Sequence, residues 1–183
     1  MLTYKIYNEE TAPEYAKETL KGYTKKYGFI PNVMGVAAES QAALETYTNA
    51  VEVLGNSTLT PAEQQVLYLT VSYENECKYC VAAHTTVGKM FEVNDEVLND
   101  LRNGKEVKDS KLNELIKFTR LVVKNRGRVN AEQVNAFIEA GYSKGNIFDV
   151  ITVVATKTIS NYINHIVETP VDNAFEANLW QGK

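Results

Sequence analysis

The sequence contains two cysteines, Cys77 and Cys80, separated by two residues. A pair with this C-x-x-C spacing can close a disulfide across about one helical turn and reopen it, which suits reversible redox chemistry. His84 follows Cys80 by four residues, so the three side chains share one face if the segment is helical. The imidazole can then accept a thiol proton or, when protonated, stabilise a thiolate. The spacing predicts a thiol redox site.

Two other interpretations of the cysteine pair stay open. Buried cysteines can serve as small apolar core residues. Cys77, Cys80 and His84 could also provide three zinc ligands with His165 as a fourth, although zinc sites usually have a second ligand pair on a turn, which this sequence lacks. Because that second pair is missing, we expect no metal. A secreted disulfide scaffold would have more cysteines, spread more widely.

Composition excludes several classes of function. The 183-residue chain has a net charge of −4, which disfavours nucleic acid as a partner because phosphate binding needs a basic surface. No apolar run approaches the roughly 20 residues of a membrane span. The first residues lack the basic-then-apolar pattern of a signal peptide. The expectation is a cytoplasmic protein that binds no membrane.

Helical spacing of apolar residues extends over most of the chain. Thr60, Pro61 and Glu63 form a capping-box pattern at the start of one helix. The β-prone segment 151–154 lies within a longer helical pattern, so we assign it to a helix. The predicted helices cover 13–27, 33–54, 60–75, 77–91, 94–103, 109–124, 130–141 and 143–167.

These elements predict an all-α bundle of about seven to eight helices in a single domain, 1–183. The core motif region would cover about 44–91. The N-terminal helices within 12–54 and the C-terminal helix 143–167 would pack on it.

The segment from Leu59 to Val66, followed by C-x-Y-C-V-A-A-H at 77–84, resembles the core of the carboxymuconolactone decarboxylase superfamily, in its AhpD-like, peroxidase-related branch. Residues 157–165 resemble the C-terminal helix of that branch. The resemblance implies an AhpD-like all-helical fold, a homo-oligomer (dimer, trimer or hexamer), and peroxiredoxin-type reduction of small hydroperoxides by paired cysteines.

The resemblance also implies a role for each cysteine. Cys80 would be the peroxidatic thiol, which becomes a sulfenic acid, and Cys77 the resolving thiol, which forms the disulfide. The helix dipole alone would instead favour Cys77 as the more acidic thiol. A dithiol, thioredoxin-type or lipoyl-type donor would reduce the pair. The sequence has no nucleotide, haem or flavin motif, so we expect no cofactor.

One position departs from the family pattern. The family has a glutamate twelve residues before the first cysteine, where this chain has Gln65. An amide can orient His84 through a hydrogen bond, but it cannot carry a proton. Glu76 follows Gln65 by eleven residues and could replace the carboxylate if the helix continues that far. It could equally be a solvated residue at a helix end.

Further functions and contacts stay open from the sequence alone. One function is a lactone decarboxylase, although that reaction needs no cysteine pair. Another is a redox-sensing or zinc-holding scaffold without turnover. Asn161, Asn164 and His165 could line the pocket or an oligomer interface. The apolar C-terminal segment with Trp180 is expected to pack on a partner subunit.

Overall fold

The computed structural model describes residues 3–183. Over that range the chain forms nine α-helices, two short 3₁₀ helices and no strand, which confirms the all-α prediction. The α-helices are α1 (Glu14–Tyr27), α2 (Asn32–Ala37), α3 (Gln41–Val53), α4 (Pro61–Glu74), α5 (Lys78–Met90), α6 (Asp95–Arg102), α7 (Ser110–Lys124), α8 (Ala131–Glu139) and α9 (Lys144–Val167), and the 3₁₀ helices are Leu54–Asn56 and Asn173–Asn178.

The prediction of one continuous helix over 33–54 is wrong. The chain forms α2 and α3 there, because Ser40 adopts an extended backbone with φ −127° and ψ 116°. Its hydroxyl accepts a hydrogen bond from the N–H of Ala43, so Ser40 is the N-cap of a new helix. The apolar spacing is compatible with both arrangements, and the capping bond selects the broken one.

The helix starts beside the cysteines are as predicted. Thr60 and Glu63 form both hydrogen bonds of a capping box at the start of α4. Cys77 is the N-cap of α5, and its sulfur accepts the N–H of Cys80 at 3.4 Å. The sequence therefore places Cys77 at the helix end and Cys80 in the first turn.

Helix α4 is the centre of the bundle. Every residue from Gln65 to Ser72 is buried, and the helix packs against α5, α6, α7 and α9. A helix that is covered on all sides can expose its polar side chains only to its neighbours. The side chain of Gln65 is therefore directed towards the interior, next to α5.

Helix α9 is the longest element and has a polar face inside the protein. It packs against α2, α3, α4 and α7. Thr156, Lys157, Ser160, Asn161 and Asn164 are all buried. Buried polar side chains need partners, and a row of them on one helix indicates a site rather than ordinary core packing.

The C-terminal segment packs on its own chain. The ring of Trp180 lies 5.5 Å from that of Tyr73, and its Nε1–H donates to the carbonyl of Arg102 at 2.8 Å. Trp180 is thus buried within the subunit, and the expectation that it packs on a partner is wrong. None of the helices described is long and apolar enough to cross a membrane.

Candidate active site

The two cysteines lie at the start of α5 with free thiols and almost no exposure. Cys77 is 1% and Cys80 2% exposed. Tyr79, between them, donates a hydrogen bond to Asp172 at 2.5 Å and accepts one from the N–H of Val33 at 3.3 Å. These bonds fix the first turn of α5 against α2 and the C-terminal segment.

His84 lies one turn after Cys80, as predicted, and Gln65 is its neighbour across the α4–α5 interface. The Nδ1 of His84 is 3.1 Å from Oε1 of Gln65. The ring of Tyr68 stacks on the imidazole with a centroid distance of 5.1 Å. The structure therefore brings Gln65, Cys77, Cys80 and His84 together.

A lysine that the sequence analysis did not single out completes this group. Lys157, on α9, is 1% exposed. Its Nζ lies 2.9 Å from Nε2 of His84 and 3.6 Å from Sγ of Cys80. An ammonium can only donate, so Nε2 of His84 accepts, and Nδ1 carries the hydrogen that is donated to Gln65. The imidazole is held in one neutral tautomer.

Two asparagines lie on the same face of α9, and the amide of one of them, Asn164, contacts both sulfurs. Nδ2 of Asn164 lies 3.2 Å from Sγ of Cys80 and 3.7 Å from Sγ of Cys77. Oδ1 of Asn161 accepts from Asn75 at 2.9 Å, whereas its Nδ2 makes no hydrogen bond among the described residues, so Asn161 acts on Cys80 at longer range. Positions 157, 161 and 164 follow the i, i+4, i+7 spacing of one helical face, so α9 places all three side chains on the face beside Cys80.

These contacts separate the acidities of the two thiols. Burial opposes ionisation of Cys80, but the hydrogen bond from Cys77, the charge of Lys157 and the amides of Asn164 and Asn161 outweigh it and lower the pKa of Cys80 to about 5. The hydrogen bond to Cys80, together with burial, raises the pKa of Cys77. The lower pKa therefore falls on Cys80 and not on Cys77, the residue at the helix N-terminus that the helix dipole alone would favour.

Burial, followed by the charge of Lys157, lowers the pKa of His84 well below its ordinary value. The imidazole is therefore neutral at physiological pH. Its sequence-predicted ability to stabilise a thiolate as a cation is not used in this arrangement, and Lys157 provides the positive charge instead.

A cavity of about 340 Å³ leads to the sulfur of Cys80. Cys80, His84, Gln65 and Lys157 are among the residues that line it. The remaining walls are mostly apolar and aromatic, and they include Tyr23, Tyr27, Phe29, Met34, Tyr47, Tyr68, Tyr79, Val87, Met90 and Phe175. Such a cavity accommodates a small apolar organic molecule and presents it to a thiolate and a cation.

Glu76 is not part of this group, and the suggestion that it replaces the missing carboxylate is corrected. Helix α4 ends at Glu74, and Glu76 has a left-handed backbone with φ 56°. Its side chain is 62% exposed and lies 3.8 Å from Lys183. Because the helix does not persist to position 76, Glu76 does not share the face of Gln65.

The described residues include no group of three His, Cys, Asp or Glu side chains that could hold a metal ion. His165, proposed as a fourth zinc ligand, is exposed and stacks beside Tyr162 with a centroid distance of 6.3 Å. The positions of the donor atoms therefore disfavour the zinc interpretation.

Comparison with known proteins agrees with this geometry. Residues 38–107, which include Gln65, Cys77, Cys80 and His84 but not Lys157, match the model of the carboxymuconolactone decarboxylase family. No curated protein is detectably similar to the chain in sequence.

Several solved structures share the fold. A peroxidase-related protein from Ralstonia eutropha JMP134 with an alkylhydroperoxidase AhpD core has a TM-score of 0.84 at 20% identity, covering 94% of this chain and 93% of that one. A peroxidase-related protein from Silicibacter sp. TM1040 has a TM-score of 0.78 at 17% identity, with 89% and 87% covered. The debrominase Bmp8 has a TM-score of 0.73 at 14% identity, with 97% and 95% covered.

Residues 38–107, which include the cysteine motif, thus match the carboxymuconolactone decarboxylase family, and the chain shares its fold over nearly its whole length with peroxidase-related proteins, one of them described as an alkylhydroperoxidase AhpD core.

Proposed function

We propose that the protein is a thiol-dependent reductase of small organic hydroperoxides, in which Cys80 attacks the peroxide and Cys77 resolves the product. The observation that carries this proposal is the surroundings of the Cys80 sulfur. Cys80 lines a mostly apolar cavity, and its sulfur lies 3.6 Å from the ammonium of Lys157 and 3.2 Å from the amide of Asn164. A nucleophilic thiolate next to a substrate-sized space is what peroxide cleavage requires.

The first half-reaction oxidises Cys80. Its thiolate attacks the terminal oxygen of the hydroperoxide, the O–O bond breaks, and the alkoxide leaves and gains a proton to become an alcohol. Cys80 becomes a sulfenic acid. The sulfur loses two electrons and the peroxide gains them.

The second half-reaction forms the disulfide. The thiol of Cys77 attacks the sulfur of the sulfenic acid, an S–S bond forms, and the hydroxyl leaves with the thiol proton as water. The hydrogen bond that raises the pKa of Cys77 depends on the Cys80 thiolate and disappears once Cys80 is oxidised. Oxidation of Cys80 therefore removes the main cause that raises the pKa of Cys77, and Cys77 becomes more nucleophilic.

Reduction of the disulfide returns the enzyme to its starting state, and the cavity favours a slender donor. Cys80 lines the cavity, whereas Cys77 is 1% exposed. A dihydrolipoyl group or a small dithiol can enter and attack at Cys80 by exchange. A thioredoxin-type protein would need access to a sulfur that the fold covers.

The aromatic lining of the cavity favours a second substrate class for the same thiols, a halogenated arene. The debrominase Bmp8 shares the fold, and a cysteine-to-alanine variant of it was solved with 2,3,4-tribromopyrrole. In such a reaction the thiolate would take the halogen, the arene carbon would gain a proton, and Cys77 would displace halide to give the same disulfide.

The test is hydroperoxide consumption with a dithiol reductant by wild type, Cys80→Ser and Cys77→Ser. We expect turnover only in wild type, with sulfenic acid trapped in Cys77→Ser and not in Cys80→Ser. Consumption no faster than the reductant blank would reject the proposal. Bromide release from tribromopyrrole would then support dehalogenation, and loss of γ-carboxymuconolactone would support a decarboxylase.

The scaffold alternatives need a separate measurement. One zinc per chain in the purified protein, lost in Cys77→Ser, would support a zinc-holding scaffold. A disulfide that forms with peroxide once but gives no turnover with any dithiol would support a redox sensor.

A further inference from the structure

We infer that Lys157 is the proton donor of this site: it protonates the oxygen that leaves when the peroxide bond breaks. The assignment rests on the proposed hydroperoxide reduction and adds to it a residue outside the cysteine motif. In the family pattern, a histidine and a carboxylate carry the proton, whereas here the proton donor is a lysine on α9.

The geometry of the ammonium supports this role. One N–H of Lys157 is directed to Nε2 of His84 at 2.9 Å and a second to Sγ of Cys80 at 3.6 Å. In the part of the chain that the structure describes, the third has no hydrogen-bond acceptor; Nζ lies 6.0 Å and 5.9 Å from the ring centroids of Tyr47 and Tyr68, and Lys157 lines the cavity with both rings. An oxygen in contact with the sulfur of Cys80 therefore lies within reach of that third N–H.

The other polar groups around the sulfur are poor proton donors. His84 directs its one N–H to Gln65, and its Nε2 is an acceptor. The amides of Asn161 and Asn164 are not acidic. Burial raises the pKa of both Tyr47 and Tyr68, which makes their hydroxyls weaker acids. Among the described polar groups around the sulfur, Lys157 is the one with an N–H that is positioned to reach the leaving oxygen.

The proton balance closes over one cycle. The Cys80 thiolate, the hydroperoxide and the Lys157 ammonium give the Cys80 sulfenic acid, an alcohol and a neutral lysine. Cys77 then forms the disulfide and releases water. A dithiol donor reduces the disulfide to the Cys77 thiol and the Cys80 thiolate, becomes a disulfide itself and releases one proton, which returns Lys157 to the ammonium.

His84 and Gln65 are positioning residues in this scheme. His84 accepts a hydrogen bond that aims Lys157 at the sulfur, and Gln65 fixes the tautomer that leaves Nε2 free to accept. A neutral amide at position 65 suits a cationic donor, since a carboxylate there would compete with the Cys80 thiolate for the charge of Lys157.

The experiment compares two oxidants with different leaving groups. Tert-butyl hydroperoxide expels a strongly basic alkoxide that needs a proton, whereas peracetic acid expels acetate, which does not. Oxidation of Cys80 is followed by stopped flow at neutral pH in wild type, Lys157→Arg and Lys157→Met, and each rate is divided by the thiolate fraction that ultraviolet absorbance gives for that protein. Lys144→Met, exposed at the start of the same helix, is the control.

Arginine keeps the positive charge but is a far weaker acid. We expect Lys157→Arg to slow the reaction with tert-butyl hydroperoxide by about 100-fold and to change the reaction with peracetic acid by less than about threefold. Lys157→Met should show the same selective loss, and Lys144→Met none with either oxidant.

Equal slowing with both oxidants would overturn the assignment, because Lys157 would then provide only charge or structure. No slowing with either would also overturn it. If wild type reacts with peracetic acid but not with the hydroperoxide, the proposed function itself fails. Circular dichroism shows whether each variant is folded, and the methionine variant repeats the comparison if the arginine variant is not.

Discussion

Glu74 and Lys157 are both charged side chains inside this fold, but their partners differ. The Glu74 side chain is 3% exposed and lies within 3.1 Å of Arg120, 3.4 Å of Lys124 and 3.6 Å of Lys183. Lys157 is 1% exposed and, among the described residues, has no carboxylate within ion-pair distance. Its partners are the neutral imidazole of His84 and the sulfur of Cys80.

The difference separates a structural charge from a functional one. The negative charge of Glu74 is balanced by nearby cationic side chains whether or not Cys80 is ionised, so it contributes to stability. Lys157 is compensated only when Cys80 ionises, because an isolated buried cation is unfavourable. A cation held without a permanent counterion favours formation of an anion beside it. Substitution of Glu74 should therefore lower the stability of the protein and leave the reactivity of Cys80 unchanged. Substitution of Lys157 should lower the reactivity of Cys80 without lowering the stability.

The largest effect is expected from Lys157→Met. Loss of the adjacent cation should raise the pKa of Cys80 from about 5 towards its ordinary value of 9.0, while the hydrogen bonds from Cys77 and Asn164 continue to lower it. The thiolate fraction at neutral pH, and with it the rate of alkylation by iodoacetamide, should then fall by up to about 100-fold. The free energy of unfolding in urea should stay the same or increase, since an apolar side chain replaces a buried charge. An alkylation rate within threefold of wild type would contradict the functional role of this charge.

The pH dependence of stability tests the same charge in wild type. The pKa of Cys80 is about 5 in the folded protein, and an unfolded cysteine ionises near 9.0. Between these values the folded protein has released a proton that the unfolded chain retains, so the contribution of Cys80 is complete above about pH 9 and is lost as pH falls to about 5. Its slope is at most about 1.4 kcal/mol per pH unit.

Urea unfolding of the reduced protein across this range, compared with Cys80→Ser, isolates that contribution. The difference between the two free energies of unfolding should increase with pH. Parallel curves would show that Cys80 stays protonated in the folded state.

Glu74→Gln should have the opposite pattern to Lys157→Met. It leaves Arg120, which is 17% exposed, without its counterion. The free energy of unfolding in urea should fall by about 2 kcal/mol, while the alkylation rate of Cys80 stays within about twofold. Glu76→Gln is the matched control, because that carboxylate is 62% exposed beside the same Lys183 and should cost less than about 0.5 kcal/mol. Loss of thiol reactivity in Glu74→Gln would remove the distinction between the two charges.

The sequence predicts the α5 part of the site well because that part is local. Cys77, Cys80 and His84 lie within one helix, where spacing alone determines which side chains share a face. The pairing of Gln65 with His84 also follows, because α4 and α5 are consecutive and packed together. Most helix positions can also be predicted, because N-cap residues and apolar spacing are local features of the sequence.

The α9 part of the site depends on packing that spacing does not encode. Lys157 is 73 residues from His84 in the chain. Its helical neighbours Ser160, Asn161 and Asn164 form a polar face, which most often is solvated on a helix surface. This face is buried because α9 packs against α3 and α4. The expectation for Glu76 failed for a related reason, because no glycine marks the left-handed residue that ends α4.

The smallest effect is expected from Gln65→Glu, which restores the carboxylate of the family pattern without changing side-chain shape. The carboxylate would accept the Nδ1–H of His84 as the amide does now, but it would add a negative charge near Lys157. Like-charge repulsion should raise the pKa of the Cys80 thiol modestly and slow alkylation at pH 5–6 by about threefold. At pH 8, where the thiolate is complete in both proteins, the rates should be equal. A faster alkylation at low pH would mean that the carboxylate makes His84 the cation, and the charge beside Cys80 would then belong to the imidazole rather than to Lys157. Alkylation rates of the two proteins over pH 5–8 decide between these outcomes.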